Sequence, residues 1–290
     1  MNIQWYPGHM TKTRRMISDQ MKHMDAVCEL VDARIPVSSR NPDIDALTEG
    51  KPRLVVLNRV DQADPEATKQ WAAYFRSKGY AVLESDAKSG VGTAKFGAVL
   101  RELLADKLRA YAEKGMAGRV IRVMILGIPN VGKSTFINKI AGRKTAKTED
   151  RPGVTRSKQW IPVDRGLELL DTPGILWPKF EDQSVGLNLA YTGAVKDDIL
   201  DIETLGCHFM TYLSGRYPEA IKTAYKLPSL PEREEEENDV AYGYRLLEAA
   251  GRKRGFLISG GDVDTERMAK ILLDEFRGGK LGRFTLEMPQ

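Results

Sequence analysis

Cysteine is nearly missing from this chain of 290 residues: there are two, Cys28 and Cys207, far apart and without a CxxC pair. That spacing offers neither a disulfide framework nor a zinc site. Long apolar runs are missing too. No stretch approaches the roughly 20 apolar residues that a membrane span needs, and the opening MNIQWYPGHM does not have the charged-then-apolar order of a signal peptide. The chain is therefore expected to be cytoplasmic. No internal repeat is found. What is present suffices for a globular core, since 42% of the residues are hydrophobic and the length suits one large domain or two ordinary ones.

Charge is unevenly spread. Residues 1–180 hold 30 Lys+Arg and 20 Asp+Glu, whereas residues 181–290 hold 14 and 20. The first part carries +10 and the second −6. A basic body fits a polyanionic partner, and it equally fits a solvated surface with surplus lysine.

Apolar runs at 26–33, 53–58, 80–85, 120–127 and 167–171 alternate with helical patterns at 65–78, 94–114 and 133–141. Runs that are apolar throughout predict strands covered on both faces, hence a doubly wound, mostly parallel α/β sheet. After Pro178 the strand signal stops. The remainder predicts a small all-α domain over 179–290, with late helices at 241–251 and 265–276 and the basic clusters GRKRGF and FRGGKLGRF beside them. Its acidic stretch, KLPSLPEREEEEND at 226–239, reads as an exposed linker or loop because like charges in a row repel one another.

GIPNVGKST, 127–135, fits G-x-x-x-x-G-K-[ST] between a strand run and a helix pattern. Such a loop turns its backbone N–H groups inward on phosphate oxygens, and the following helix adds its positive end. Asn130, Val131, Gly132, Lys133, Ser134 and Thr135 would then bind the phosphates of a nucleotide, with Lys133 at the β- and γ-phosphates and Ser134 on Mg²⁺. DxxG occurs twice, as DRPG at 150–153 and DTPG at 171–174. DTPG closes the strand run LELLD, as a metal-facing aspartate requires, so Asp171 would hold Mg²⁺ through water and the Gly174 amide would sense the γ-phosphate. Thr155, between the two, is the candidate switch-I ligand of the metal.

LNRVD at 57–61 ends another apolar run. Asp61 could accept from the N1–H and exocyclic amine of guanine, Asn58 would tie this loop to the phosphate loop, and the stem of Arg59 would cover the base. In DAKSG at 86–90, Asp86 stands where serine is usual and Ala87 would offer its N–H to guanine O6. The order along the chain is base, base, phosphate, switch I, switch II. That is a circularly permuted guanine-nucleotide domain over 1–178, whose former ends would be joined by a long helix at 94–114. Switch II then runs straight into the helical tail.

WYPGHM, DARIPVSSRNP, the permuted motifs, EAAGRKRGFLISGGDVD and FRGGKLGRF together resemble the circularly permuted ribosome-assembly GTPases, the ribosome biogenesis GTPase A family (RbgA, YlqF). The resemblance implies a GTPase in late assembly of the large (50S) ribosomal subunit, monomeric, stimulated by that subunit, with a helical rRNA-binding tail similar to the ANTAR domain. It also implies roles for two residues: Asn130 as a holder of K⁺ and His9 as the positioner of water. Ile175 follows DTPG where many GTPases have the glutamine that orients the attacking water. A nucleotide-controlled RNA-binding scaffold with incidental hydrolysis is the alternative.

Overall fold

The computed structural model describes residues 3, 9–142, 159–164, 166–177 and 180–289. Contacts divide the chain into two compact units, one of Gln4–Glu181 with Phe284–Gln290, the other of Met1–Ile3 with Asp182–Arg283.

In the first unit the strands are β1 (Ala26–Asp32), β2 (Arg53–Asn58), β3 (Ala81–Ser85), β4 (Ile121–Leu126), β5 (Gln159–Asp164) and β6 (Leu167–Asp171). They form one sheet in the order β3-β2-β1-β4-β6-β5. Only the β5–β6 pairing is antiparallel among these strands. Every residue of β1 and β2 is buried, as strands covered on both faces must be. The fold is thus mixed α/β with a mostly parallel sheet. Because β1, β2, β3, β4 and β6 run the same way, their carboxyl ends share one edge, the edge where open α/β sheets bind ligands. Asp32, Asn58, Ser85, Leu126 and Asp171 stand there.

Two features depart from the sequence expectation. The sixth strand, β5, was not anticipated: QWIPVD has no continuous apolar run and carries Pro162, which cannot donate to a ladder. It is an edge strand with a register shift between Pro162 and Asp164, the place where a proline is tolerated. The helix expected at 94–114 is two helices, with a break at Leu104. The unit's helices are α1 (His9–Met21), α2 (Asp43–Leu47), α3 (Pro65–Ser77), α4 (Phe96–Leu103), α5 (Ala105–Glu113) and α6 (Lys133–Ile140). The segment still joins β3 to β4. Asp25, just before β1, binds Lys107 and Tyr111 of α5 at 2.7 and 3.0 Å. Burial works against its charge, but the bonds from Lys107, Arg122 N–H and Tyr111 prevail and hold its pKa below the ordinary value.

A buried charge in the middle of β1 explains part of DARIPVSSRNP. Glu29 has no exposure, and Arg40 meets it with two parallel bonds of 3.1 Å. Arg53 adds a third bond at 3.1 Å. Removing one partner of such a set leaves a charge uncompensated, at a cost of about 3–5 kcal/mol.

The second unit contains α7 (Gln183–Tyr191), α8 (Ile202–Arg216), α9 (Pro218–Tyr225), α10 (Asp239–Arg254) and α11 (Thr265–Arg277). Glycines let α8 be approached closely. A Cβ on Gly243 would stand 2.1 Å from the Cys207 carbonyl, and one on Gly206 would stand 2.4 Å from Cβ of Ala269. The rings of Tyr191, Phe209 and Phe276 fill the core, with centroids 4.3 and 4.7 Å apart. The acidic stretch at 226–239 contains an exposed loop, as expected, with residues 232–236 all exposed, and Arg245 ties it down by binding Glu234 and Glu237 at 3.1 and 3.0 Å. Among the described residues, no helix is long and apolar enough to cross a membrane.

Candidate active site

The phosphate loop leaves β4 and enters α6 through Gly132, whose φ of +98° favours glycine. A Cβ there would also stand 2.5 Å from Nδ2 of Asn58. Asn130 takes a left-handed φ of 58°. Lys133 is buried, and its ammonium donates to the carbonyls of Gly127 and Ile128 at 3.2 Å each. Burial lowers its pKa to about 8, against the pull of Asp171. Ser134 and Thr135 follow on the first turn of α6, both half-buried.

Asp171 ends β6 at 1% exposure. Burial raises its pKa to about 6, with Lys133 and the Thr172 N–H opposing. Its Oδ1 is buried and has no hydrogen-bond partner among the described residues. A buried carboxylate oxygen without a partner, close enough to the phosphate-loop lysine to feel its charge, suits Mg²⁺, a hard cation that takes few protein oxygens and keeps waters and phosphates as its other ligands. No group of three His, Cys, Asp or Glu side chains able to hold a metal occurs among the described residues. Thr155 lies outside the described residues.

Gly174 lies against the phosphate loop. A Cβ on it would stand 2.7 Å from Pro129 N and 2.9 Å from Pro129 Cα, and the next residue, Ile175, donates its N–H to the Gly127 carbonyl at 3.2 Å. Backbone meets backbone here, so nothing can yield cheaply. Gly174→Ala is expected to lower GTP turnover ~10–100-fold, as a displacement of about 1 Å at a reacting centre does. Steady-state turnover, with circular dichroism to confirm folding, checks this.

Ile175 is not turned to the phosphate site. It is fully buried and belongs to a cluster with Ile17 and Met21 of α1, Met24, Val27, Ile44, Met124, Leu126 and Leu170. His9 opens α1, and its side chain lies outside the described residues.

At the base loop, Asn58 bridges two elements: its Nδ2 donates to the Val131 carbonyl at 2.9 Å, and its Oδ1 accepts from Ala87 N–H at 3.1 Å. The Ala87 donor, expected to face guanine O6, is engaged by Asn58 in this structure. Asp86 accepts from Lys88 N–H at 2.9 Å and Ser89 N–H at 3.3 Å, so its carboxylate shapes the DAKSG turn. Arg59 has a φ of 62°. It donates to the Asn130 carbonyl at 3.0 Å and lies 3.7 Å from Asp32. Asp61 is exposed.

The sequence reading missed one buried pair. Asp32 and Arg34, 2% and 0% exposed, are joined by bonds of 2.9 and 2.7 Å from Nε and Nη2 of the arginine. Burial opposes the charge on Asp32, yet the guanidinium of Arg34 wins and keeps its pKa below the ordinary value. The signal was DARIP itself, noted as a motif but not as a salt bridge.

The chain is similar to known proteins over its whole length. Ribosome biogenesis GTPase A of Bacillus cereus is 49% identical over 100% of this chain and 95% of its own length. This chain belongs to the ribosome biogenesis GTPase A family. Another member, from Priestia megaterium, is 49% identical over 100% of this chain and 98% of its own. Residues 122–205 match the family model described as 50S ribosome-binding GTPase. Two solved structures extend the likeness of this ribosome biogenesis GTPase A member to the whole fold. GDP-bound TM YlqF has a TM-score of 0.63 and 27% identity, covering 95% of this chain and 99% of that one. GNP-bound YlqF from T. maritima has a TM-score of 0.62 and 26% identity, covering 96% and 99%. The chain is accordingly a P-loop GTPase of ribosome biogenesis.

Proposed function

We propose that this GTPase acts in late assembly of the large (50S) ribosomal subunit, in the bacterial cytoplasm and as a monomer, and that the subunit accelerates its turnover. The observation that carries the second half is Ile175. Where many GTPases orient water with glutamine, this chain has an apolar side chain sunk in the core, so a water-orienting group has to come from elsewhere. The match to a 50S ribosome-binding GTPase model supports the choice of subunit.

In this reading Lys133 spans the β- and γ-phosphates, and the amides of Asn130, Val131, Gly132, Ser134 and Thr135 ring them. Ser134, Asp171 and Thr155 would hold Mg²⁺, which when bound neutralises phosphate charge. Gly174 senses the γ-phosphate. Asp61 reads guanine N1–H and the exocyclic amine, with Asn58 and Arg59 shaping the loop and Asp86 and Ala87 the second base turn. Asn130 would offer K⁺ its side-chain oxygen, its backbone carbonyl being taken by Arg59. His9 would position the attacking water.

The helical unit would contact rRNA through a smaller set of residues than its basic clusters suggest. Arg254 binds Glu275 at 2.9 Å and lies over Tyr225. Arg277 caps α7 through the carbonyls of Ala190 and Tyr191, at 2.8 and 3.0 Å, and pairs with Asp197. Lys253 is exposed at this end of α10, and Arg252, exposed as well, pairs with Glu248 one turn back at 3.0 Å.

GTP turnover in potassium buffer, with purified large subunits, small subunits or neither, tests the proposal. A rise with large subunits alone is expected, and His9→Ala should keep GTP affinity while losing ~10²–10⁴-fold of the stimulated rate, the worth of a positioned proton-transfer group. Equal rates in all three mixtures would favour the scaffold reading, and an undiminished stimulated rate would remove His9 from the mechanism.

A further inference from the structure

The last residues of a chain are usually loose unless something ties them down. Here Phe284, Thr285 and Leu286 are 2%, 0% and 8% exposed, although they form no named strand or helix. The bonds they make fall on two loops. On one side, Phe284 N–H donates to the Gln62 carbonyl at 2.9 Å, and Asp64 N–H donates to Thr285 Oγ1 at 3.1 Å. Those two residues bracket the exit of the NRVD loop, immediately after Asp61. Trp71 of α3 adds a bond of 2.9 Å from Nε1 to the Glu287 carbonyl.

On the other side lies the DARIP turn. Leu286 N–H donates to the Arg34 carbonyl at 2.7 Å, and Thr285 Oγ1 donates to the Ala33 carbonyl at 3.3 Å. The Glu287 carboxylate accepts from Val37 N–H at 2.6 Å, from Ser38 N–H at 3.0 Å and from the Ser38 hydroxyl. The opposite flank of that turn grips the entry of the base loop: Ala33 N–H donates to the Asn58 carbonyl at 2.9 Å, and Asp32 faces Arg59 at 3.7 Å.

Asp61 itself makes no hydrogen bond or ion pair among the described residues. Its placement is therefore set by backbone on both flanks. The entry flank is held through Asn58, Arg59 and a 3.3 Å bond from Val60 N–H to the Ser85 carbonyl, and the exit flank through Gln62 and Asp64. The terminal segment bonds to the exit flank directly and to the entry flank through the DARIP turn.

We propose that Phe284–Glu287 is a positioning strap for guanine recognition, in which Thr285 and Glu287 fix the loop that carries Asp61 and so set the enzyme's selectivity for the base. The proposal rests on the reading of Asp61 as the guanine-binding carboxylate. It gives the C-terminal residues, beyond the helical unit in sequence, a part in reading the nucleotide.

The readout has to separate positioning from mere stapling. A staple that only held the fold together would change the fraction of competent molecules, and that lowers affinity for every nucleotide equally. Misplacement of Asp61 instead erodes the contact to the exocyclic amine, which guanine has and hypoxanthine does not. The quantity to measure is the ratio of GDP to inosine diphosphate affinity in the full-length protein, by competition against a fluorescent GDP analogue. Glu287→Ala is expected to reduce that ratio ~3–10-fold and Thr285→Val ~2–3-fold, against the larger penalty for leaving such a site's polar group unpaired. Glu287→Gln should fall between wild type and Glu287→Ala, because its amide oxygen can still accept from a Ser38 donor.

Unchanged ratios in folded Glu287→Ala and Thr285→Val proteins would overturn the strap, whatever their melting temperatures. A wild-type protein with no preference for GDP over inosine diphosphate would overturn the Asp61 reading and the strap with it, a result distinguishable from the first because it appears before any substitution is made.

Discussion

Asp61→Asn will lower GTP affinity ~10³-fold or more and will make the enzyme accept xanthosine triphosphate, by the logic of sites built around one specific polar partner. In the proposed reading guanine presents two donors to Asp61, the N1–H and the exocyclic amine. A carboxylate accepts both. Asparagine has one acceptor and one donating amide, so one guanine donor would face another donor across a closed site. Xanthine has a carbonyl where guanine has the amine, and it matches the asparagine pattern atom for atom. The substitution should cost little fold stability, because Asp61 is exposed and binds nothing among the described residues, and surface changes of that kind stay within about 0.5 kcal/mol. Competition binding with GDP and xanthosine diphosphate would check it. Undiminished GDP affinity in the variant would take Asp61 out of the base site and leave LNRVD as an ordinary strand end.

The parts of this site that could be read from sequence are those in which one short segment meets a backbone demand by itself. GIPNVGKST needs glycine at Gly132 because that position has positive φ and lies against Asn58. DTPG needs Gly174 because its backbone touches Pro129. Both demands leave a local mark. Long-range pairings leave none: Glu287 with Ser38, Arg277 with Asp197 and Arg254 with Glu275 each join residues of ordinary surface composition. That is why the basic clusters of the helical unit read equally as RNA contacts or as ordinary helix ends, why Phe284 in FRGGKLGRF read as an aromatic for stacking although it is buried, and why residues 285–290 carried no expectation of their own. Strand β5 was hidden for another reason. Its burial is that of an edge, with only Ile161 fully covered, and edge strands are not required to be apolar.

Ile175 shows how a motif departure can be correctly noticed and still be incomplete. As a missing glutamine it says that water has to be oriented by a residue other than the one after DTPG. As a buried residue it contributes about 1.5–3 kcal/mol of apolar burial and packs beside Ile17 and Met21, which anchor α1. A glutamine there would not restore water positioning. Its amide would be buried among methyl groups without partners, at a cost of roughly 1–3 kcal/mol. The same position thus explains both the need for another water-orienting group and the seat of the helix that His9 opens.

Magnesium-dependent nucleotide binding will be flat above about pH 6 and will weaken as pH falls below it, about tenfold per pH unit, because Asp171 titrates near that value. The sign follows from competition. Burial in an apolar strand end raises the Asp171 pKa to about 6 from its ordinary 3.8, so below pH 6 the cation must displace a proton before it can use the carboxylate. The nucleotide-free fold feels the same group in the opposite sense. A carboxyl whose folded pKa is raised contributes stability that is present in full below about pH 4 and is lost as pH rises through about 6. Added Mg²⁺ and GDP should therefore raise the melting temperature more at pH 7 than at pH 5. Asp171→Asn has no carboxyl to titrate in this range, so its magnesium affinity should be ~10–100-fold lower, the scale on which partners of metal sites act, and should fall less steeply on acidification than the wild type's. Magnesium titrations at saturating GDP, run at half-unit steps from pH 5 to 8 on both proteins, decide the matter. If wild type and variant lose magnesium affinity in parallel on acidification, the titrating group is the nucleotide phosphate, and Asp171 does not face the metal.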